Sequence, residues 1–149
     1  MREAFNTALK DAMRSGDKVK VATVRMITAA LKDRDIEARG AGKGPLGDDE
    51  ILSLMQKMIK QRQESQKIYQ DNGRPELAEQ EAAEIAVIAS FMPAQLSEAE
   101  IDAAIAAAIA ETGAAGMKDM GKVVGKLKEN YAGRMDFAKA SAAVKAKLS

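Results

Sequence analysis

Lys118, Lys122 and Lys126 recur at every fourth position, so in a helix their ammonium groups fall along one face. Gly121 and Gly125 run beside them. A glycine inside a helix costs about 1 kcal/mol relative to alanine, so two at this spacing imply that something approaches the backbone closely. The pattern admits a neighbouring helix packed on the glycines. It also admits a phosphodiester chain tracking between the lysines, although the pattern by itself favours an ordinary solvated face over a polyanion site. Lys128, Arg134 and Lys139 extend the positive surface. Tyr131 and Phe137 are the only aromatic residues nearby and both read as buried. Any nucleic-acid contact is therefore expected at backbone and shape rather than at stacked bases.

Other chemistry finds less support. The chain has no cysteine and no histidine, which removes thiol nucleophiles and the commonest base and metal ligand. None of its serines sits in a glycine-rich elbow. Glu76, Glu79, Glu81 and Glu84 are spaced for one helical surface, but no histidine or second carboxylate motif completes an acid–base or metal site. Gly40-Ala41-Gly42-Lys43-Gly44-Pro45-Leu46-Gly47 lacks the spacing, the hydroxyl residue after lysine and the preceding strand of a phosphate loop; it reads as a mobile connection. The expectation is no catalytic residue, no metal and no cofactor.

Positioning the lysines requires a helix, and helices dominate the pattern. Hydrophobic residues make up 46%, charged residues 30% and aromatic residues 3% of 149, with strong helix formers abundant. The organising stretch is Phe91-Met92-Pro93-Ala94-Gln95-Leu96-Ser97-Glu98-Ala99-Glu100. Pro93 ends the helix arriving from Glu84, and Ser97 with Glu100 forms a capping box that starts the next, stapled by Leu96 and Ile101. Ahead of it, periodicity predicts helices over about 2–15, 18–38, from Asp48 through the polar run Lys60–Lys67, and 76–91. Behind it lie one helix ending at Thr112-Gly113, one over about 119–131, and one capped by Asp136. The fold class expected is all-α: an N-terminal domain of about four helices over 1–94, then a small three-helix tail domain over 95–149. The end of the second helix, 32–39, is expected to project into solvent.

The net charge of +1 conceals an asymmetry. Residues 1–74 carry 15 Lys/Arg against 11 Asp/Glu, 75–110 carry seven acidic residues and no basic one, and 111–149 carry eight basic against four acidic. A basic tail joined through an acidic stretch suits a polyanion partner. No leader-like segment follows Arg2-Glu3 and no apolar run is long enough to span a membrane, so a cytoplasmic location without membrane contact is the plain expectation.

The run Ala83-Glu84-Ile85-Ala86-Val87-Ile88-Ala89-Ser90-Phe91-Met92-Pro93-Ala94-Gln95-Leu96-Ser97-Glu98 resembles the GatB/YqeY family. So do Asp119-Met120-Gly121-Lys122-Val123-Val124, Tyr131-Ala132-Gly133-Arg134, Gln56-Lys57-Met58-Ile59-Lys60-Gln61-Arg62-Gln63-Glu64-Ser65 and Asn72-Gly73-Arg74. The resemblance covers nearly the whole chain. It implies a stand-alone version of the helical and tail domains that end the B subunit of the tRNA-dependent amidotransferase, where they contact tRNA. By that resemblance the tRNA contact is expected around Lys118, Gly121, Lys122, Gly125, Lys126, Lys128 and Arg134. Carbon–nitrogen ligase activity with glutamine as amide donor attaches by resemblance alone, because the activating domain and the amidase machinery have no counterpart in these residues. A tRNA-binding accessory module is the first expectation. The alternative is a scaffold docking on an amidotransferase or synthetase subunit through the polar half of the long helix and the Glu76–Glu84 face.

Overall fold

The computed structural model describes residues 1–149 and is all-α, with seven helices, one 3₁₀ turn and no strand. The chain divides into two compact units, Met1–Met92 and Pro93–Ser149. No helix is long and apolar enough to cross a membrane.

The first unit holds α1 (Arg2–Ser15), α2 (Lys18–Gly40), α3 (Asp48–Asp71) and α4 (Pro75–Ala89). Gly16, at φ 74°, ends α1 in the left-handed conformation that a side chain would resist. Asp17 then caps α2 by accepting from the Lys20 amide at 3.0 Å. Phe5, Val24, Ile27, Leu31, Ile51, Met55, Met58 and Ile88 form the core. Each large side chain so buried contributes about 1.5–3 kcal/mol. The rings of Phe5 and Phe91 meet edge to face at 5.0 Å between centroids.

Two expectations are refined here. The charged end of α2 is exposed at Lys32, Asp33, Arg34, Ile36, Glu37 and Arg39, but Asp35 is committed, accepting from the Arg2 Nη1 and Nη2 groups at 2.8 and 2.9 Å. Asp35 also accepts from the Leu46 amide at 3.0 Å, while Arg2 donates to the Leu46 carbonyl at 3.0 Å, so the end of the glycine-rich connection is pinned. The helix itself runs on to Gly40, its last carbonyls taken by the amides of Ala41 and Lys43.

The polar half of α3 is partly committed as well. Arg62 Nε donates to Glu84 Oε2 at 3.2 Å, with each side chain 15% exposed, and Arg62 also reaches the Met58 carbonyl. Glu76 pairs with Arg74 at 3.0 Å. Glu84 thus braces the α3–α4 hairpin, whereas the exposed Glu76–Arg74 pair is local to the start of α4. Beside them burial, and then Glu84, raise the Glu81 carboxyl above its ordinary range.

The second unit holds α5 (Glu98–Thr112), the 3₁₀ turn Met117–Asp119, α6 (Met120–Tyr131) and α7 (Phe137–Leu148). The capping box forms as the spacing requires: the Glu100 amide donates to Ser97 Oγ at 3.2 Å and the Ser97 amide to Glu100 Oε1 at 3.1 Å. Leu96 and Ile101 pack against a core of Ala104, Ile105, Ala108, Val123, Leu127, Met135, Ala140 and Val144. Asp136 accepts from the Ala138 amide at 2.9 Å and starts α7. The segment entering this unit is tied down too, with the Leu96 amide donating to the Arg134 carbonyl at 2.9 Å and Gln95 Nε2 to the Gly133 carbonyl.

Candidate nucleic-acid interface

α6 is the element that carries the site, and its inward face decides what faces out. Val123 and Leu127 are fully buried, with Met120, Val124 and Tyr131 packed around the same core. At 3.6 residues per turn, that leaves Gly121, Lys122, Gly125, Lys128 and Glu129 on the opposite arc, and all five are exposed. The glycines form a lane down this arc, with Lys128 on one side and Lys122 and Lys126 on the other.

No helix packs on that lane. A Cβ built on Gly121 or on Gly125 would meet nothing within 4 Å, and neither backbone is left-handed. Of the two readings the spacing left open, a neighbouring helix seated on the glycines is absent from this unit. The backbone of α6 is open to an incoming group at two points about one turn apart.

The cations differ in how free they are. Lys118 lies on the 3₁₀ turn rather than on α6, so the three-lysine ladder bends at its first rung; its side chain is exposed. Lys122 is 72% exposed and its ammonium is 3.8 Å from Asp119 Oδ1, a loose pairing one turn back. Lys126 is 28% exposed and its ammonium is 3.2 Å from Glu111 Oε1 on α5. Its hydrogen bond to Glu111, then the charges of Glu111 and Glu129, hold the Lys126 ammonium above its ordinary pKa, so it stays protonated.

Arg134 belongs to a different structure. Its Nε donates to the Ala94 carbonyl at 3.0 Å and its guanidinium lies 5.9 Å from the centroid of the Tyr131 ring. It holds the entry segment of the second unit against the end of α6. Tyr131 and Phe137 are half-buried against the core, which leaves no free ring for a base to stack on. The structure thus gathers Lys122, Lys126 and Lys128 around the glycine lane, sets Lys118 at its start, and uses Arg134 as a strut.

Three residues that shape the site were not singled out from the pattern. Asp119 and Glu129 interleave with the lysines at three-residue spacing, a signal readable in the chain order. Glu111 meets Lys126 from another helix, across fifteen positions, and only the packing of α5 on α6 reveals it.

Residues 2–148 match the family model described as Yqey-like protein. Among curated proteins, "Altered inheritance of mitochondria protein 41, mitochondrial" of Lachancea thermotolerans is 34% identical over 106 residues, covering 69% of this chain and 54% of that protein. The protein of the same name from Eremothecium gossypii is 34% identical over 86 residues, covering 58% and 45%. That from Pyrenophora tritici-repentis is 32% identical over 129 residues, covering 85% and 68%. The chain spans about half the length of the first two relatives. All three are named as mitochondrial, which overturns the plain cytoplasmic expectation drawn from the absence of a leader-like segment.

Proposed function

The chain belongs to the YqeY-like family, and on that footing we propose that it is a tRNA-binding accessory module whose α6 grips the phosphate backbone. The observation that carries this reading is the open lane over Gly121 and Gly125, bordered by Lys122, Lys126 and Lys128. Two glycines that pack against nothing within the chain still carry the helix cost of about 1 kcal/mol each. A sugar-phosphate chain lying along the lane would contact the helix backbone closely and place its phosphates between ammonium groups. Contacts of this kind position a folded RNA by charge and shape, with no base readout. Amide-forming chemistry on the bound tRNA would be supplied by separate polypeptides, an amidotransferase or synthetase subunit being the partner the resemblance suggests.

The test is an electrophoretic shift of total tRNA at two salt concentrations. A retained complex at about 50 mM that is lost by about 200 mM follows from counterion release. Lys122→Glu with Lys126→Glu abolishes the shift while the circular dichroism of the helices is preserved. Unchanged retention in that double variant overturns the reading.

A further inference from the structure

The outer face of α2 carries a second ordered pattern, in the first unit. Lys18, Arg25, Lys32 and Arg39 stand seven residues apart along the whole helix. Ala22, Ala29 and Ile36 stand between them, also seven apart. All seven positions are exposed. At 3.6 residues per turn they share one arc, with cations repeating about every 10.5 Å of helix axis. None of the four cations meets a carboxylate of the chain, and no acidic residue falls in the row. Of the α2 carboxylates, Asp35 is turned to Arg2 and Leu46, while Asp33 and Glu37 flank the row.

We infer that this face docks an α-helix of a partner protein that bears Asp or Glu at seven-residue spacing, with apolar residues between. Three features select a helix. Seven-residue repetition matches the seam of two helices crossing at a shallow angle. A nucleic acid, with a charge about every 1.7 Å of duplex axis, has no use for that period. The row also exposes apolar surface that a phosphate chain would not reward. Ile36 is 59% exposed, and at the N-terminal end Lys18 and Arg25 border a depression of about 430 Å³ to which Met13, itself 56% exposed, and Val21 contribute. Finally, Ala22 and Ala29 leave room for a second helix axis at about 8 Å, where apolar side chains of the partner would cover them. The four unpaired cations fix the sign of the partner, because matching carboxylates would neutralise each one in register.

The inference does not depend on the tRNA reading, which uses the other unit. Its test uses the full chain and a fluorescein-labelled helical peptide about four heptads long. In this peptide Leu and Glu each recur every seventh residue on one face, with Ala and Gln elsewhere; a scrambled peptide of the same composition is the control. Fluorescence anisotropy is expected to show the repeating peptide binding about tenfold or more tighter than the scrambled one. Arg25→Glu with Lys32→Glu removes that preference. Ala29→Lys separates the mechanisms, since it adds charge but obstructs close approach; a docked helix is weakened by it, whereas a purely electrostatic contact is strengthened. No binding of the repeating peptide, equal binding of both peptides, or tighter binding by Ala29→Lys each overturns the inference. So does displacement of the peptide by tRNA together with loss of tRNA binding in the Arg25→Glu, Lys32→Glu variant, which would make this face an RNA surface. Concentration-dependent dimerisation that the same charge reversals abolish would assign it to a second copy and overturn it as well.

Discussion

The Lys126 ammonium sits 3.2 Å from Glu111 Oε1, so the inner cation of the α6 lane is already partnered across helices before any ligand arrives. An incoming phosphate must share or displace that carboxylate. On the proposed tRNA reading, Glu111→Gln is therefore expected to tighten tRNA binding, by about two- to fivefold at low salt, and to steepen its salt dependence. Titration of the variant against the parent chain at matched ionic strength reads both. Unaltered affinity would mean that Lys126 takes no part.

Gly121 and Gly125 face open space, so replacing them costs nothing sterically. Alanine at each site stabilises the second unit by about 0.5–1 kcal/mol. The same methyl groups would stand in the lane, and on the proposed reading they are expected to lower tRNA affinity. A higher melting temperature with weaker binding is the expected pair of results from calorimetry and gel shift. A gain in both would show that the lane is not used.

Arg134→Ala should act on stability first. Losing the charge-assisted bond to the Ala94 carbonyl destabilises the second unit by about 1–2 kcal/mol in urea unfolding. Lys122→Ala and Lys128→Ala, by contrast, are expected to leave the urea midpoint nearly unchanged and, on the proposed reading, to weaken tRNA retention.

The Asp35 carboxyl is held at about 2, first by its hydrogen bonds from Arg2 and then by the Leu46 amide. An unfolded aspartate titrates near 3.9. Between those values the unfolded chain binds more protons, so this contribution is complete above about pH 4 and is lost as pH falls toward 2. The difference in urea midpoint between the parent chain and Asp35→Asn should shrink over that interval and stay constant from about pH 5 to 7. A difference independent of pH would dissociate Asp35 from the anchor.

Glu81 has the opposite sign, because burial and Glu84 favour its protonated form. Its folded state binds more protons than the unfolded chain, so its stabilising contribution is present at acid pH and lost as pH rises through its folded pKa. Glu81→Gln is expected to raise the urea midpoint at pH 7 and to lose that advantage below about pH 4. An equal gain at both pH values would mark a packing effect.

Helix ends were the most legible part of the chain because their causes are local. Ser97 and Glu100 lie three residues apart and satisfy each other's amides, and Gly16 with Asp17 ends one helix and caps the next within two positions. The lysine and glycine spacing on α6 was readable for the same reason. What spacing left undecided was occupancy, since only packing shows that the lane is open. Arg2 with Asp35 and Lys126 with Glu111 join residues far apart in the chain, and no periodic pattern encodes such partners. Arg134 looked like surface charge because nothing local announces the Ala94 carbonyl it grips. Met135 reached the core unannounced, lying between a charged strut and a capping aspartate.

The edge-to-face meeting of Phe5 and Phe91 also sets a timetable. The ring that meets Phe5 edge to face is made 86 residues after it, roughly 4–17 s later at ordinary elongation rates, whereas α2, on which α1 chiefly packs, is complete well before. Protease protection of α1 in arrested nascent chains should therefore rise in two steps, the second once the Phe91 turn has cleared the exit tunnel. Until then the opening helix depends on its neighbours or on a chaperone to stay out of trouble.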